Sequence, residues 1–223
     1  MISRIEDWIN SFFCSKENRT RLIMTVFGVV VSAISVGFFR QAAFGTDPFQ
    51  CMCAGLDNVI PVSFGTLYVI INLVLLCVML LTSRKFIGIA TFINMFLTGY
   101  IVEFSENTIY GIFGEPSMTG RIIYLTIGIV VMCLASAFYF TADLGVSTYD
   151  FIALRLSEIQ KKFPFRLIRI CTDLICVGIG FGLGFVPGVG TIITAFFMGP
   201  LISFFIVHTA KPFLQKGSEQ KAD

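Results

Sequence analysis

Hydrophobic residues run along this chain in six long stretches that are separated by short polar segments. Each stretch has roughly the 20 apolar residues that a helix needs to cross a hydrocarbon core of about 30 Å. The stretches cover 22–43, 65–82, 87–105, 121–141, 167–185 and 189–209. The pattern therefore predicts an all-α polytopic membrane protein with six transmembrane helices.

The first three stretches and the last three repeat each other at a spacing of 100 residues, as Gly45 and Gly145 illustrate. The segment AAFGTDPFQ (42–50) returns as ADLGVSTYD (142–150), and GIATFINMFLTGYIVEF (88–104) returns as GVGTIITAFFMGPLISF (188–204). Because each copy holds an odd number of spans, we expect two inverted-topology three-helix repeats, an arrangement found in many secondary transporters. Each repeat is expected to carry a short helix after its first span.

The positions of lysine and arginine predict the orientation, because these residues gather in cytoplasmic loops. They cluster before span 1, between spans 2 and 3, before span 5 and after span 6. We therefore expect a multi-pass protein of the bacterial plasma membrane with both termini in the cytoplasm. The expected parts are an interfacial N-terminal helix (1–21), repeat 1 (22–105) with an outer turn helix (47–60), an outer loop (106–120), repeat 2 (121–209) with an inner turn helix (148–162), and a cytoplasmic tail (210–223).

Composition narrows the function classes. Hydrophobic residues make up 56% of the chain and charged residues 13%, so no sizeable soluble domain remains. The chain has one histidine and lacks CxxC, HExxH and a glycine-rich phosphate loop, so we expect no metal, no cofactor and no enzymatic activity. We expect the partners to be the lipid bilayer and a small-molecule substrate, and no nucleic acid; a homodimer stays open.

The two turns after spans 1 and 4 carry the clearest candidate chemistry. Asp47 and Ser147 stand where a helix cap is expected, three residues before Gln50 and Asp150. These short helices either re-enter the membrane as half-helices or lie in its interface. In the first case their N-termini would approach a central polar or anionic substrate. The candidate substrate-binding residues in the turns are Gly45, Thr46, Asp47, Gly145, Ser147, Thr148 and Asp150.

The repeat also pairs two polar residues inside the spans. With a one-residue gap, 68–76 aligns with 169–177, which sets Asn72 opposite Asp173. We add Asn72 to the substrate-binding candidates. An acidic residue within a span is a functional candidate, so Asp173 is the candidate for ion coupling. The alternative is a structural ion pair with Arg169, which lies four residues earlier on the same helical face.

These turns, together with the later GxGT segment, resemble the YczE/YyaS/YitT family of bacterial integral membrane proteins. The segment GTDPFQ keeps Gly45 and Pro48, and GVSTYD keeps Gly145 and Asp150. Glu103 stands where the family often has an aspartate. The resemblance implies a bacterial plasma-membrane protein whose role is in transport or in support of other membrane processes.

Two function classes follow. The first is a small secondary transporter that works by alternating access on a small polar or anionic solute, with its site between the repeats. The second is a non-transporting membrane scaffold or regulator of another membrane process, in which the basic inner turn helix would suit anionic lipid. A polar cavity lined by both turns would favour the transporter.

Overall fold

A computed structural model describes residues 15–160, 162 and 165–219, and these residues form helices and no strand. The expected interfacial helix at 1–21 lies largely outside the described residues. The α-helices are α1 (Lys16–Ala42), α2 (Pro48–Asp57), α3 (Phe64–Thr82), α4 (Ile89–Phe113), α5 (Met118–Ala142), α6 (Thr148–Ile159), α7 (Phe165–Gly182), α8 (Val189–Phe205) and α9 (Lys211–Glu219). A 3-10 turn (Arg84–Phe86) precedes α4, and a π-helical turn (Ile206–Ala210) joins α8 to α9.

Four helical segments of the described chain are long and apolar enough to cross a membrane: Lys16–Ala42, Phe64–Thr82, Met118–Ala142 and Val189–Gly217. They coincide with the predicted spans 1, 2, 4 and 6. The predicted spans 3 and 5 are also helices, α4 and α7, but they are more polar. Helix α4 carries Glu103 and Glu106, and α7 carries Asp173 with two arginines.

Four of the expected segments have different bounds in the structure. Helix α4 continues to Phe113, so the connection to α5 is shorter than the loop expected at 106–120. The tail expected at 210–223 is helical from Lys211 to Glu219. The two turn helices are also slightly shorter than expected and end at Asp57 and Ile159.

The turns that lead into α2 and α6 have the same backbone shape. Ala43 and Asp143 both end the preceding helix in the left-handed region, with φ of 54° and 51°. Two residues later Gly45 and Gly145 have φ of 94° and 110°, a region that glycine enters without a steric penalty. Asp47 and Ser147 then cap the short helices by accepting hydrogen bonds from the backbone N–H of Gln50 and Asp150, which confirms the capping expected from the sequence.

Contacts between the two copies are reciprocal. The N–H of Ala90 donates to the carbonyl of Leu144 at 3.1 Å, and the N–H of Gly190 donates to the carbonyl of Phe44 at 2.7 Å. Each turn therefore packs against the start of the last long helix of the other copy. The same exchange links the long helices: Gly28 contacts Tyr139, and Gly128 contacts Phe39.

The two short helices differ in how deeply they lie in the protein. Residues 48–51 and 53–55 of α2 are all buried, and Gly55 and Cys51 pack directly on Gly180 of α7. In α6 only the first half is buried, at Thr148, Tyr149, Phe151 and Ala153. Helix α2 is thus enclosed by protein, whereas the second half of α6 stays at the surface.

Candidate solute-binding cavity

A cavity of about 800 Å³ lies between the long helices and beside both turns. Its lining includes Asp47 and Gln50 from the first turn helix and Ser147 and Asp150 from the second. Helices α1, α3, α4, α5, α7 and α8 complete the wall. The volume is in the range of sites for small organic ligands, about 300–1,000 Å³.

Five of the nine candidate site residues line this cavity: Asp47, Asn72, Ser147, Asp150 and Asp173. A sixth, Thr148, supports the wall, because its hydroxyl donates to Asn72 Oδ1 at 2.6 Å. Asn72 in turn donates from Nδ2 to the Tyr68 carbonyl at 2.8 Å. The bond from Thr148 joins α6 to α3, and the two bonds together fix the amide of Asn72 at the cavity wall.

Gly45, Thr46 and Gly145 lie elsewhere. Gly145 packs against Gly88, where it leaves no room for a side chain. Gly45 and Thr46 border a second, smaller cavity of about 310 Å³. These three residues shape the turns, and the cavity wall beside both turns is formed without them.

The second cavity contains an ion pair that the sequence did not indicate. Arg40 Nη1 lies 2.6 Å from Glu106 Oε2, and the guanidinium stands over the Phe64 ring at 3.8 Å from its centroid. The pair joins α1 to α4 near one end of the helices. The order of polar residues along the sequence gives no signal for this ion pair, because the two partners are 66 residues apart.

Arg169 organises the charged part of the main cavity. Its guanidinium forms an ion pair with Asp150 of α6, and its Nε lies 3.3 Å from Asp173 Oδ1. Asp173 also accepts a hydrogen bond from the Tyr149 hydroxyl. The sequence left two alternatives for Asp173, a structural ion pair with Arg169 and a place in the site. In the structure Asp173 both pairs with Arg169 on its own helix and lines the cavity.

Aromatic rings from both copies meet in the cavity wall. Phe49 and Tyr149, which are 100 residues apart, stack with their centroids 4.7 Å apart. Tyr68 meets Phe49 edge to face with the ring centroids 5.8 Å apart, and the guanidinium of Arg169 lies over the Tyr149 ring at 4.6 Å from its centroid. Sequence reasoning missed this cluster, although the position of Phe49 and Tyr149 within the repeated turns was a signal for it.

Asp47 lies in a distinct electrostatic environment. Burial raises the pKa of its carboxyl to about 6, although the hydrogen bond from the Gln50 N–H acts in the opposite direction. Among the described residues it forms no ion pair within 4 Å. Asp47 is thus a partly buried acid without a dedicated cation.

Three further polar side-chain atoms in the cavity wall have no hydrogen-bond partner within the described part of the chain. They are Gln50 Oε1, Thr98 Oγ1 and the Tyr139 hydroxyl. Their residues are only 4%, 4% and 7% exposed. Buried polar atoms are nearly always paired, so these three are available to a ligand or to water. No group of three or more metal-binding side chains occurs among the residues that the structure covers.

Comparison with known proteins identifies the family. Residues 19–207 match a family described as "Family of unknown function (DUF6198)". The chain belongs to this family. Four apolar helices of spanning length, and similarity to a relative described as a membrane protein, identify this chain as a membrane protein.

The relatives confirm the resemblance to YczE and YyaS. The "Uncharacterized protein YyaS" of Bacillus subtilis (strain 168) is 27% identical over 195 residues, which cover 85% of this chain and 94% of the relative. The "Uncharacterized membrane protein YczE" of the same organism is 24% identical over 178 residues, or 79% of this chain and 81% of the relative. An "Uncharacterized protein" of Haemophilus influenzae is 21% identical over 203 residues, or 89% and 88%. No solved structure matches.

Proposed function

We propose that this family member is a small secondary transporter that works by alternating access on a small polar solute. The observation that carries the proposal is the cavity of about 800 Å³ that both turns and both copies line. Secondary transporters with internal repeats bind their solutes between the repeats, near the middle of the membrane. A scaffold has no need for such a cavity.

The proposal includes the six-span, inverted-repeat architecture. The reciprocal bonds from Ala90 to Leu144 and from Gly190 to Phe44 support a two-fold relation between the copies. In this arrangement α4 and α7 also cross the membrane, and they pack against the other helices of the protein. The polar residues of α7 then face the cavity, where a charged side chain inside a membrane is tolerated.

The proposed orientation places both termini in the cytoplasm of a bacterial cell. Lys85 and Arg84 then lie at the inner surface, where Lys85 Nζ contacts Glu158 of α6 at 2.5 Å. The Arg40–Glu106 pair lies at the outer surface. Each pair joins elements near one end of the helices, so each is suited to hold one side closed while the other opens.

The charges around the cavity restrict the solute. Among the lining residues that the structure describes, three carboxylates, those of Asp47, Asp150 and Asp173, share the cavity with one guanidinium, that of Arg169. The sequence allowed a polar or an anionic solute. The excess of negative charge disfavours an anionic solute, because placing another negative charge next to these carboxylates in a site of low dielectric constant costs free energy.

Labelling of a cavity cysteine from each side of the membrane tests alternating access without knowledge of the solute. We would introduce Ser136→Cys, which lines the cavity from α5, into a variant whose native cysteines are replaced. A membrane-impermeant thiol reagent is then applied to right-side-out and inside-out vesicles. Alternating access predicts labelling from both sides.

Two matched variants control for sidedness. Gly111→Cys lies at the end of α4, where the space around the glycine is open, and it should react only from outside. Lys85→Cys should react only from inside. Labelling of Ser136→Cys from one side only would contradict alternating access. Protection from both sides would favour the non-transporting scaffold or regulator.

A further inference from the structure

The polar groups that line the main cavity indicate the chemical class of its solute. Among the described residues, four charged ones line the cavity, and Arg169 is the positive one of these four. Its guanidinium is occupied by Asp150 and Asp173, one on α6 and one on its own helix. Together these three groups carry one net negative charge when both acids are ionised, so the positive charge of Arg169 is already more than balanced by its own two carboxylate partners.

Asp47 adds a second negative charge that no described residue neutralises by an ion pair. One of its oxygens, Oδ1, accepts the capping hydrogen bond from the Gln50 N–H at 3.2 Å. The carboxylate can still accept further bonds, since each ionised carboxylate has about four lone-pair sites. A cation in the cavity would supply the missing partner.

Neutral groups in the wall of the same cavity point to a ligand independently of the charge of Asp47. Gln50 Oε1 and the Tyr139 hydroxyl line the same cavity, are carried by residues that are more than nine-tenths buried, and have no partner in the described part of the chain. An amide oxygen accepts hydrogen bonds and does not donate them. A ligand that brings N–H donors would satisfy Gln50 and Asp47 together.

The aromatic residues in the wall and the volume of the cavity suit an organic cation better than a metal ion. Phe49 and Tyr68 line the cavity, and the faces of such rings attract organic cations. A volume of about 800 Å³ would leave a single hydrated ion mostly uncontacted, whereas it suits a molecule of several heavy atoms.

We propose that the cavity binds a small organic cation with N–H donors, such as a primary ammonium compound, and that Asp47 is its counter-ion. The inference rests on the proposed function, because it identifies the solute class of the same cavity. Gln50 and Tyr139 orient the N–H donors, and Phe49 and Tyr68 cover the apolar part of the molecule.

Three probes of similar size and different charge test the inference: 2-phenylethylammonium, 3-phenylpropionate and 3-phenylpropanamide. Their dissociation constants are measured by calorimetry on the full chain in uncharged detergent at pH 7.5, where Asp47 is ionised. We expect the ammonium compound to bind at least ten-fold more tightly than the carboxylate and the amide. Tighter binding of the carboxylate or the amide, or no binding of any probe, would overturn the inference.

Substitution of Asp47 tests whether this carboxylate binds the cation directly or acts only through the net charge of the protein. Asp47→Asn retains a side chain that can cap α2, and it should weaken binding of the ammonium probe at least ten-fold. Asp143→Asn removes the same charge from an exposed residue outside the cavity and should leave binding unchanged. Equal effects of the two substitutions would contradict a direct role for Asp47.

Gln50→Leu provides a second variant if Asp47→Asn does not fold. It removes an uncharged acceptor and should weaken binding about five-fold, as expected for one neutral hydrogen bond. Unchanged binding would contradict the assignment of Gln50 to the site. The labelling of Ser136→Cys requires no ligand, so failure of the cation inference can be told apart from failure of the transport proposal.

Discussion

The close contact between Gly88 and the second turn gives a sharp prediction about stability. A Cβ atom at residue 88 would lie 2.0 Å from the Leu144 carbonyl oxygen and 2.7 Å from its carbon. Both are backbone atoms, so the turn itself would have to move. We therefore expect Gly88→Ala to destabilise the protein although the substitution adds only one carbon.

The size of the effect follows from the bonds at this contact. A shift of the turn would break the Ala90 N–H bond to Leu144, at 3.1 Å, and the Thr91 hydroxyl bond to Val146, at 2.7 Å. Each contributes about 1 kcal/mol. Overpacking adds a cost of about 1–3 kcal/mol, which gives a total of roughly 3–5 kcal/mol.

Unfolding in mixed micelles, followed by helical circular dichroism during titration with a denaturing detergent, measures this loss. Gly188→Ala should cost a similar amount, because its Cβ would lie 2.0 Å from the Phe44 carbonyl oxygen. Gly178→Ala is the matched control: nothing lies within 4 Å of its Cβ, and it should change stability by no more than about 1 kcal/mol. A loss below about 1 kcal/mol for Gly88→Ala would refute the reasoning.

Two further predictions concern charged groups. Burial raises the pKa of Asp47 from 3.8 to about 6, so the folded protein binds this proton more tightly than the unfolded chain does. The free energy of unfolding should therefore fall by up to about 3 kcal/mol as the pH rises from about 4 to 6, and a pH series of unfolding should show that Asp47→Asn removes this part of the dependence. Arg169→Met should destabilise the protein by about 3 kcal/mol in the same assay, because two partly buried carboxylates lose their cation. Lys85→Met removes a more exposed partner of Glu158 and should cost less than about 1 kcal/mol; an equal loss in both variants would contradict the importance of burial.

Much of the fold could be predicted because its signals are local. Apolar stretches of spanning length predicted the long helices, and the spacing from Asp47 to Gln50 and from Ser147 to Asp150 predicted the caps. The ends of helices were harder. The apolar stretch predicted for span 3 stops at residue 105, just before Glu106, yet α4 continues past this glutamate to Phe113.

The site could be predicted only in part, because its contacts join distant segments. The repeat alignment pointed to Asn72 and Asp173, and both line the cavity. It could not show that Thr148 bonds to Asn72 across 76 residues, or that Arg169 pairs with Asp150. Such contacts depend on how the helices rotate and pack, and one sequence carries no direct signal of that rotation.

The central claim is that the cavity carries solutes across the membrane, and solute release from proteoliposomes tests it most directly. Vesicles containing the purified protein are loaded with a defined mixture of small ammonium, carboxylate and neutral solutes, and the release of each is followed by mass spectrometry. The account predicts saturable, protein-dependent release of at least one ammonium solute, with release slowed by Asp47→Asn. Release that matches protein-free vesicles for every solute would contradict it.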